Sequence, residues 1–140
     1  MALPTSLQLH IVSADRSLVH ERVDEVEIPG ADGYFGVLPG HTPLLATLGM
    51  GELWYRRGQA KTYVLLSFGF AEVQPDRVTI LAEVAERPED IDITRAEAAR
   101  RRAEELLAKP SIDIDAEKAR LALLRSLIRL QVATRARIRS

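Results

Sequence analysis

The 140-residue chain has no cysteine, no long apolar run and almost no net charge. The first absence excludes disulfides and thiolate metal sites, and it leaves the redox compartment unreadable from cysteine usage. The second excludes a bilayer-spanning helix, because the most apolar stretch, VLLSFGFAEV (64–73), is far too short. The third, a formal charge of −1, removes any bulk reason to expect nucleic acid or an anionic membrane surface as partner. The opening MALPTSLQLHIV lacks the basic start and small-residue cleavage site of a secretory signal, so a soluble, cytoplasmic-side protein is expected. What is present is a globular composition, enough for one domain or a small domain with an appendage.

Two periods divide the chain. Up to about Glu86 apolar and polar residues alternate: Leu7, Leu9 and Ile11 with Gln8 and His10; Val26 and Ile28 with Glu25 and Glu27; Val78, Ile80, Ala82 and Val84 with Arg77, Thr79, Leu81 and Glu83. Period two with one polar face predicts antiparallel strands over a core. Turn signals stand at Pro29-Gly30, Pro39-Gly40, Gly58-Gln59 and Pro75-Asp76. Short strands with no intervening helix imply a sandwich or flattened barrel. After RPEDID the composition turns to Ala, Arg, Glu and Leu, strong helix formers. Pro110 and Ser111 interrupt this half, and Asp92 and Asp115 stand where N-caps are expected. The reading is an α+β protein: a β-sandwich or barrel over 1–87, then an antiparallel two-helix hairpin over 88–140. Ile91-Asp92-x-x-Arg95-Ala96 is echoed by Ile114-Asp115-x-x-Lys118-Ala119, as two capped helix starts would be.

Between Gly33 and Gly51 the sequence GYFGVLPGHTPLLATLGMG holds five glycines, two prolines, one histidine and no charge. It reads as neither a helix nor a regular strand. His41 has no serine, cysteine or carboxylate beside it for a nucleophilic relay. His10 and His20 stand in no ligand-like spacing. The glycines lack the lysine and hydroxyl of a phosphate-binding loop. Two readings remain: an exposed rim of Tyr34, Phe35, Leu38 and Pro43 for a partner, or a tightly turned core crossing.

On the helical half, Arg95 and Arg102 share one helix face, as do Arg125 and Arg129. Folded antiparallel, the helices would direct four guanidinium groups into one space suited to a polyphosphate. Alternatively these arginines sit in water or pair with Glu97, Glu104 or Glu105. No nucleophile, metal triad or acid/base pair is legible, so no enzyme is expected. A basic C-terminal helix raises nucleic-acid binding, but it lacks interleaved aromatics, and Leu121, Leu124, Leu127, Ile128 and Leu130 read as a packing surface.

GYFGVLPGHTPLLATLGMGEL, flanked by VDEVEIPG and SFGFAEVQPDRVTILAE and followed by DIDITRA, resembles the epsilon subunit of the bacterial F-type ATP synthase over nearly the whole chain. The Leu-Pro-Gly-His-x-Pro-Leu core carries most of the likeness. The resemblance implies a flattened β-sandwich followed by a helical hairpin. It further implies a non-catalytic rotor subunit at the foot of the central stalk, peripheral to the cytoplasmic face of the bacterial plasma membrane. Its partners would be the gamma subunit and the polar loops of the c-ring, with Leu38, Pro39, Gly40, His41, Pro43 and Leu44 on the partner-facing surface. Asp32 and Tyr34 align with the ring-facing loop, where some members carry a carboxylate in place of Tyr34.

The same resemblance implies regulatory ATP binding with no catalytic cofactor. The Ile91-Asp92-x-x-Arg95-Ala96 motif, Arg102, Arg125 and Arg129 would hold the nucleotide, with Glu86 near the adenine. From Ala116 onward seven basic residues (Lys118, Arg120, Arg125, Arg129, Arg135, Arg137 and Arg139) face one acid, Glu117. Extended toward the alpha and beta catalytic subunits, that helix would dock on acidic segments of the beta subunits and block rotation in the hydrolysis direction; ATP would hold the hairpin closed. A rotor adaptor without nucleotide binding is the alternative.

Overall fold

The computed structural model describes residues 3–109 and 115–139. The chain forms two compact units, Met1–Glu86 and Arg87–Ser140, a boundary one residue before the expected one.

The first unit contains strands β1 (Leu7–Ser13), β2 (Ser17–Val23), β3 (Glu25–Gly30), β4 (Gly33–Val37), β5 (Leu44–Arg57), β6 (Ala60–Gln74) and β7 (Arg77–Glu86). They form one sheet in the order β2-β1-β7-β6-β5-β3-β4. The alternation converts directly into burial: Leu7, Leu9 and Ile11 of β1 and Val78 and Ile80 of β7 point into the same core as Ile28, Val37, Leu48, Leu53 and Leu66. Because β2 also approaches β5, the sheet folds over this single core. The fold enabling that closure shows at Phe68 and Gly69 of β6, which adopt φ of 53° and 121°. A side chain at Gly69 would strike the Leu81 carbonyl and lie 2.9 Å from the Ala82 Cα, so only glycine fits.

Three expectations are corrected here. The sheet is not purely antiparallel: β1 pairs with β7 in parallel, Leu9 facing Val78 and Ile11 facing Ile80. Alternation encodes which face a residue takes and says nothing of strand direction. Pro29-Gly30 is no turn but the end of β3; the turn is Ala31-Asp32, and Pro29 is buried. The uncharged segment is largely strand, supplying all of β4 and the start of β5. Its glycines suit a short edge strand and a stretch of β5 where backbones pass close together.

In the second unit a 3-10 turn (Pro88–Asp90) leads to helix α1 (Ile93–Ala108), and helix α2 runs over Ala116–Arg139. Both expected caps form: Asp92 Oδ1 accepts from the Arg95 N–H and Asp115 Oδ1 from the Lys118 N–H, each at 3.1 Å. Pro110, Ser111 and Ile114 lie outside the described residues. The helices pack on each other. The buried positions are Ala96 and Ala103 on α1 and Ala119, Ser126, Val132 and Ala133 on α2. Spacings of seven (96/103 and 119/126/133) place one small-residue stripe on each helix, which lets two backbones approach closely. Among the described residues no helix is long and apolar enough to cross a membrane.

Candidate functional site

Two regions carry the candidate residues, one in each unit. At one end of the β-unit lie the β3–β4 turn, the loop from Leu38 to Pro43 and the β6–β7 turn. Backbone bonds hold each of them: the Gly40 N–H donates to the Pro75 carbonyl (2.7 Å), joining the Leu38–Pro43 loop to the β6–β7 turn, Gln8 N–H donates to Asp76 O (2.9 Å), joining that turn to β1, and Ala31 N–H donates to Thr47 O (2.8 Å), joining the β3–β4 turn to β5. Gly40 holds φ of 86°, which its position in this sharp turn requires. His41 is half-buried, and its Nδ1–H donates to the Thr42 carbonyl at 2.6 Å, since a carbonyl can only accept. Its backbone N–H closes the turn on Leu38 O at 3.2 Å. The imidazole thus braces its own loop. Among the described residues no group of three His, Asp or Glu is arranged to hold a metal.

Asp32, Tyr34, Leu38, Gly40, Pro43 and Leu44 are exposed and Pro39 is half-buried, which favours the rim reading. Phe35 departs from it, being half-buried against the core. Tyr34 also differs from a free surface residue, because its hydroxyl accepts the Glu52 N–H at 3.0 Å.

Sequence reasoning passed over two features of the outer sheet face. Leu45, Phe70 and Leu81 are exposed there; Phe70 stands opposite Thr47 on β5 and opposite Leu81 on β7. Their signal was present: Phe70 and Leu81 are apolar residues standing in the polar phase of their strands. His10 and His20 face each other across β1 and β2, with stacked ring centroids 4.7 Å apart. His10 Nε2 lies 3.1 Å from Ser17 Oγ. Ten residues of separation hid that pair.

In the helical unit the motif residues acquire individual tasks. Ile91 is half-buried where the 3-10 turn ends, Asp92 caps α1 and Ala96 is buried in the helix seam. Among the described residues the Arg95 side chain makes no hydrogen bond or ion pair. Arg102 is exposed as well, and Arg125 is half-buried with its Nε–H enclosed and without a hydrogen-bond partner. Among the described residues Arg95, Arg102 and Arg125 make no ion pair. Other arginines on the same helices do: Arg100 with Glu104 at 3.0 Å and Arg120 with Glu117 at 3.2 Å. Arg129 is half-buried and engaged. Glu86, half-buried and also engaged, closes β7 in the other unit. The structure therefore brings Asp92, Arg95 and Ala96 together on the first turns of α1, and sets Arg125 and Arg129 on successive turns of α2.

Comparison with known proteins agrees with this architecture. Residues 6–88 match the family of the ATP synthase delta/epsilon chain β-sandwich domain. Residues 89–134 match its long α-helix domain. The chain is 45% identical over 131 residues to the ATP synthase epsilon chain of Solibacter usitatus, covering 94% of this chain and 98% of the relative. It is 48% identical over 127 residues to that of Nitratidesulfovibrio vulgaris strain DP4, covering 91% and 95%. A chain in the solved Euglena gracilis mitochondrial ATP synthase (OSCP, F1 and c-ring) superposes with a TM-score of 0.70 at 26% identity, covering 99% of this chain and 84% of that one. On this evidence the chain belongs to the ATP synthase delta/epsilon family, as a non-catalytic subunit of the central stalk.

Proposed function

We propose that this subunit couples proton-driven rotation to ATP synthesis from the cytoplasmic face of the bacterial membrane, and that its hairpin is an ATP-sensing latch on hydrolysis. The β-unit is the fixed part. Its exposed Leu45, Phe70 and Leu81 on the outer sheet face, with exposed Leu38 and Leu44, supply apolar surface suited to the gamma subunit. The loop end carrying Asp32, Tyr34, Pro39, Gly40, His41 and Pro43 serves the gamma and c-ring contacts.

The hairpin is the switching part. One observation supports nucleotide binding above all: among the described residues Arg95, Arg102 and Arg125 have no carboxylate partner while neighbouring Arg100 and Arg120 do, and the Arg125 Nε–H is enclosed and unsatisfied. An unsatisfied enclosed donor is costly, and phosphate oxygens would relieve that cost. Arg129 adds a further guanidinium, Asp92 and Ala96 hold the first turn of α1 in shape, and Ile91 lines the approach. Without ATP the hairpin opens, and the basic α2 docks on the alpha and beta subunits. With ATP at about 100 times its dissociation constant the closed state gains about 2.7 kcal/mol, roughly a hundredfold shift in population.

Calorimetric titration of the whole chain with ATP and then ADP tests this reading. Saturable one-to-one binding that favours ATP and weakens in Arg95→Ala and Arg125→Ala is expected. No heat at millimolar ATP would leave a rotor adaptor that binds no nucleotide.

A further inference from the structure

The ladder between β3 and β5 is interrupted beside the partner-facing turn. From Glu27 to Gly30 is three steps along β3, whereas their partners Trp54 and Leu48 stand six steps apart on β5. The surplus residues of β5 arch out of the ladder. Within the arch the Glu52 N–H donates to the hydroxyl of Tyr34, 3.0 Å away, which reaches in from β4. Tyr34 stands opposite Pro29 of β3, and the residue is 57% exposed while its hydroxyl is engaged by Glu52. Gly51 makes room for that hydroxyl. A Cβ there would strike the Tyr34 hydroxyl and lie 2.8 Å from the Pro29 Cβ.

Besides this bond, the β3–β4 turn is held to β5 near Leu48, by the Gly30 pairing and the Ala31 N–H to Thr47 carbonyl bond. Strand β4 is five residues long and lies at the sheet edge. A hairpin anchored through one strand can pivot; an anchor on each strand fixes its direction. We propose that Tyr34 is a positioning residue, whose hydroxyl clasps the β5 arch and so fixes the turn that presents Asp32 to a partner. This rests on the reading of that turn as a contact surface. It also changes what Tyr34 offers the partner: with the hydroxyl committed, the exposed ring face remains.

Two variants of the full chain test the clasp by different routes. Tyr34→Phe removes the oxygen and keeps the ring, while Gly51→Ala displaces the hydroxyl and keeps the tyrosine. Amide hydrogen exchange at Glu52 and at residues 31–33 is expected to rise about tenfold in both, as for the loss of one ordinary hydrogen bond. Affinity for a purified gamma–c-ring complex is expected to fall several-fold in Tyr34→Phe, with the unfolding midpoint reported by Trp54 fluorescence lowered by no more than the loss of one hydrogen bond accounts for. Asp32→Ala is expected to lower that affinity without altering exchange at Glu52. Unchanged exchange at residues 31–33 in Tyr34→Phe overturns the proposal. If exchange rises there while neither Tyr34→Phe nor Asp32→Ala changes affinity, the clasp is upheld and the contact reading of the turn fails.

Discussion

The β-unit buries leucine, isoleucine and valine almost completely, whereas the helical unit buries chiefly alanine and serine and leaves Leu106, Leu121, Leu124 and Leu127 at 36–44% exposure. A buried leucine contributes about 2 kcal/mol by transfer from water, and a methyl group less than half of that. The two units therefore differ in how much holds them closed. A seam of Ala96, Ala103, Ala119, Ser126 and Ala133 packs closely but gains little, and it separates at low cost. Helix α2 does not depend on the seam to remain helical, since its 24 residues are mostly strong helix formers and exceed the length at which isolated helices become marginal. Helices that stay helical when parted are what the proposed latch requires.

Several changes test this contrast, the most disruptive first. Leu66→Ala in the β-unit core should cost about 3 kcal/mol, read as an earlier denaturant transition of Trp54, the single tryptophan; a loss below 1 kcal/mol would mean that this core is loosely packed. Gly69→Ala should cost about 1–3 kcal/mol from backbone strain alone, and more if the Leu81 carbonyl cannot yield. Ser126→Leu should overpack the seam by about 1–3 kcal/mol. It should lower the denaturant midpoint of helical circular dichroism while leaving the Trp54 transition in place; a common shift of both signals would make the two units one cooperative body. Asp92→Ala and Asp115→Ala should each remove about 1 kcal/mol of helix stability through lost capping, and Asp92→Ala should also weaken ATP binding. Arg120→Ala should change stability by less than about 0.5 kcal/mol, because its pair with Glu117 is exposed, and should leave ATP binding alone where Arg125→Ala weakens it.

Legibility in the sequence followed interaction range. Alternation over Leu7–Ile11 and Val78–Val84 exposed both strands and their buried faces, because a side chain's face depends only on its place in its own strand. The caps at Asp92 and Asp115 were legible for the same reason, each bond spanning three residues. The parallel pairing of β1 with β7 was not, since two strands nearly seventy residues apart become neighbours only through the closure of the whole sheet. Nor did Tyr34 reveal its hydroxyl's destination, eighteen residues away on a strand that is not its ladder neighbour. The arginines fall between these cases: spacing assigned Arg95 with Arg102 and Arg125 with Arg129 to shared faces, but which of them would be left without a carboxylate depended on side-chain packing.

By itself, then, the sequence determined two units, their order, the inward residues of the strands and the starts of both helices. All of these follow from backbone periodicity and hydrogen bonds spanning a few residues. Tertiary structure alone decided the direction of β1 against β7, the kink at Phe68 and Gly69, the clasp of Tyr34 on Glu52 and the enclosed, unpartnered Nε of Arg125. Each of these depends on which distant backbone or side chain arrives alongside once the core has closed, and no local pattern encodes that arrival.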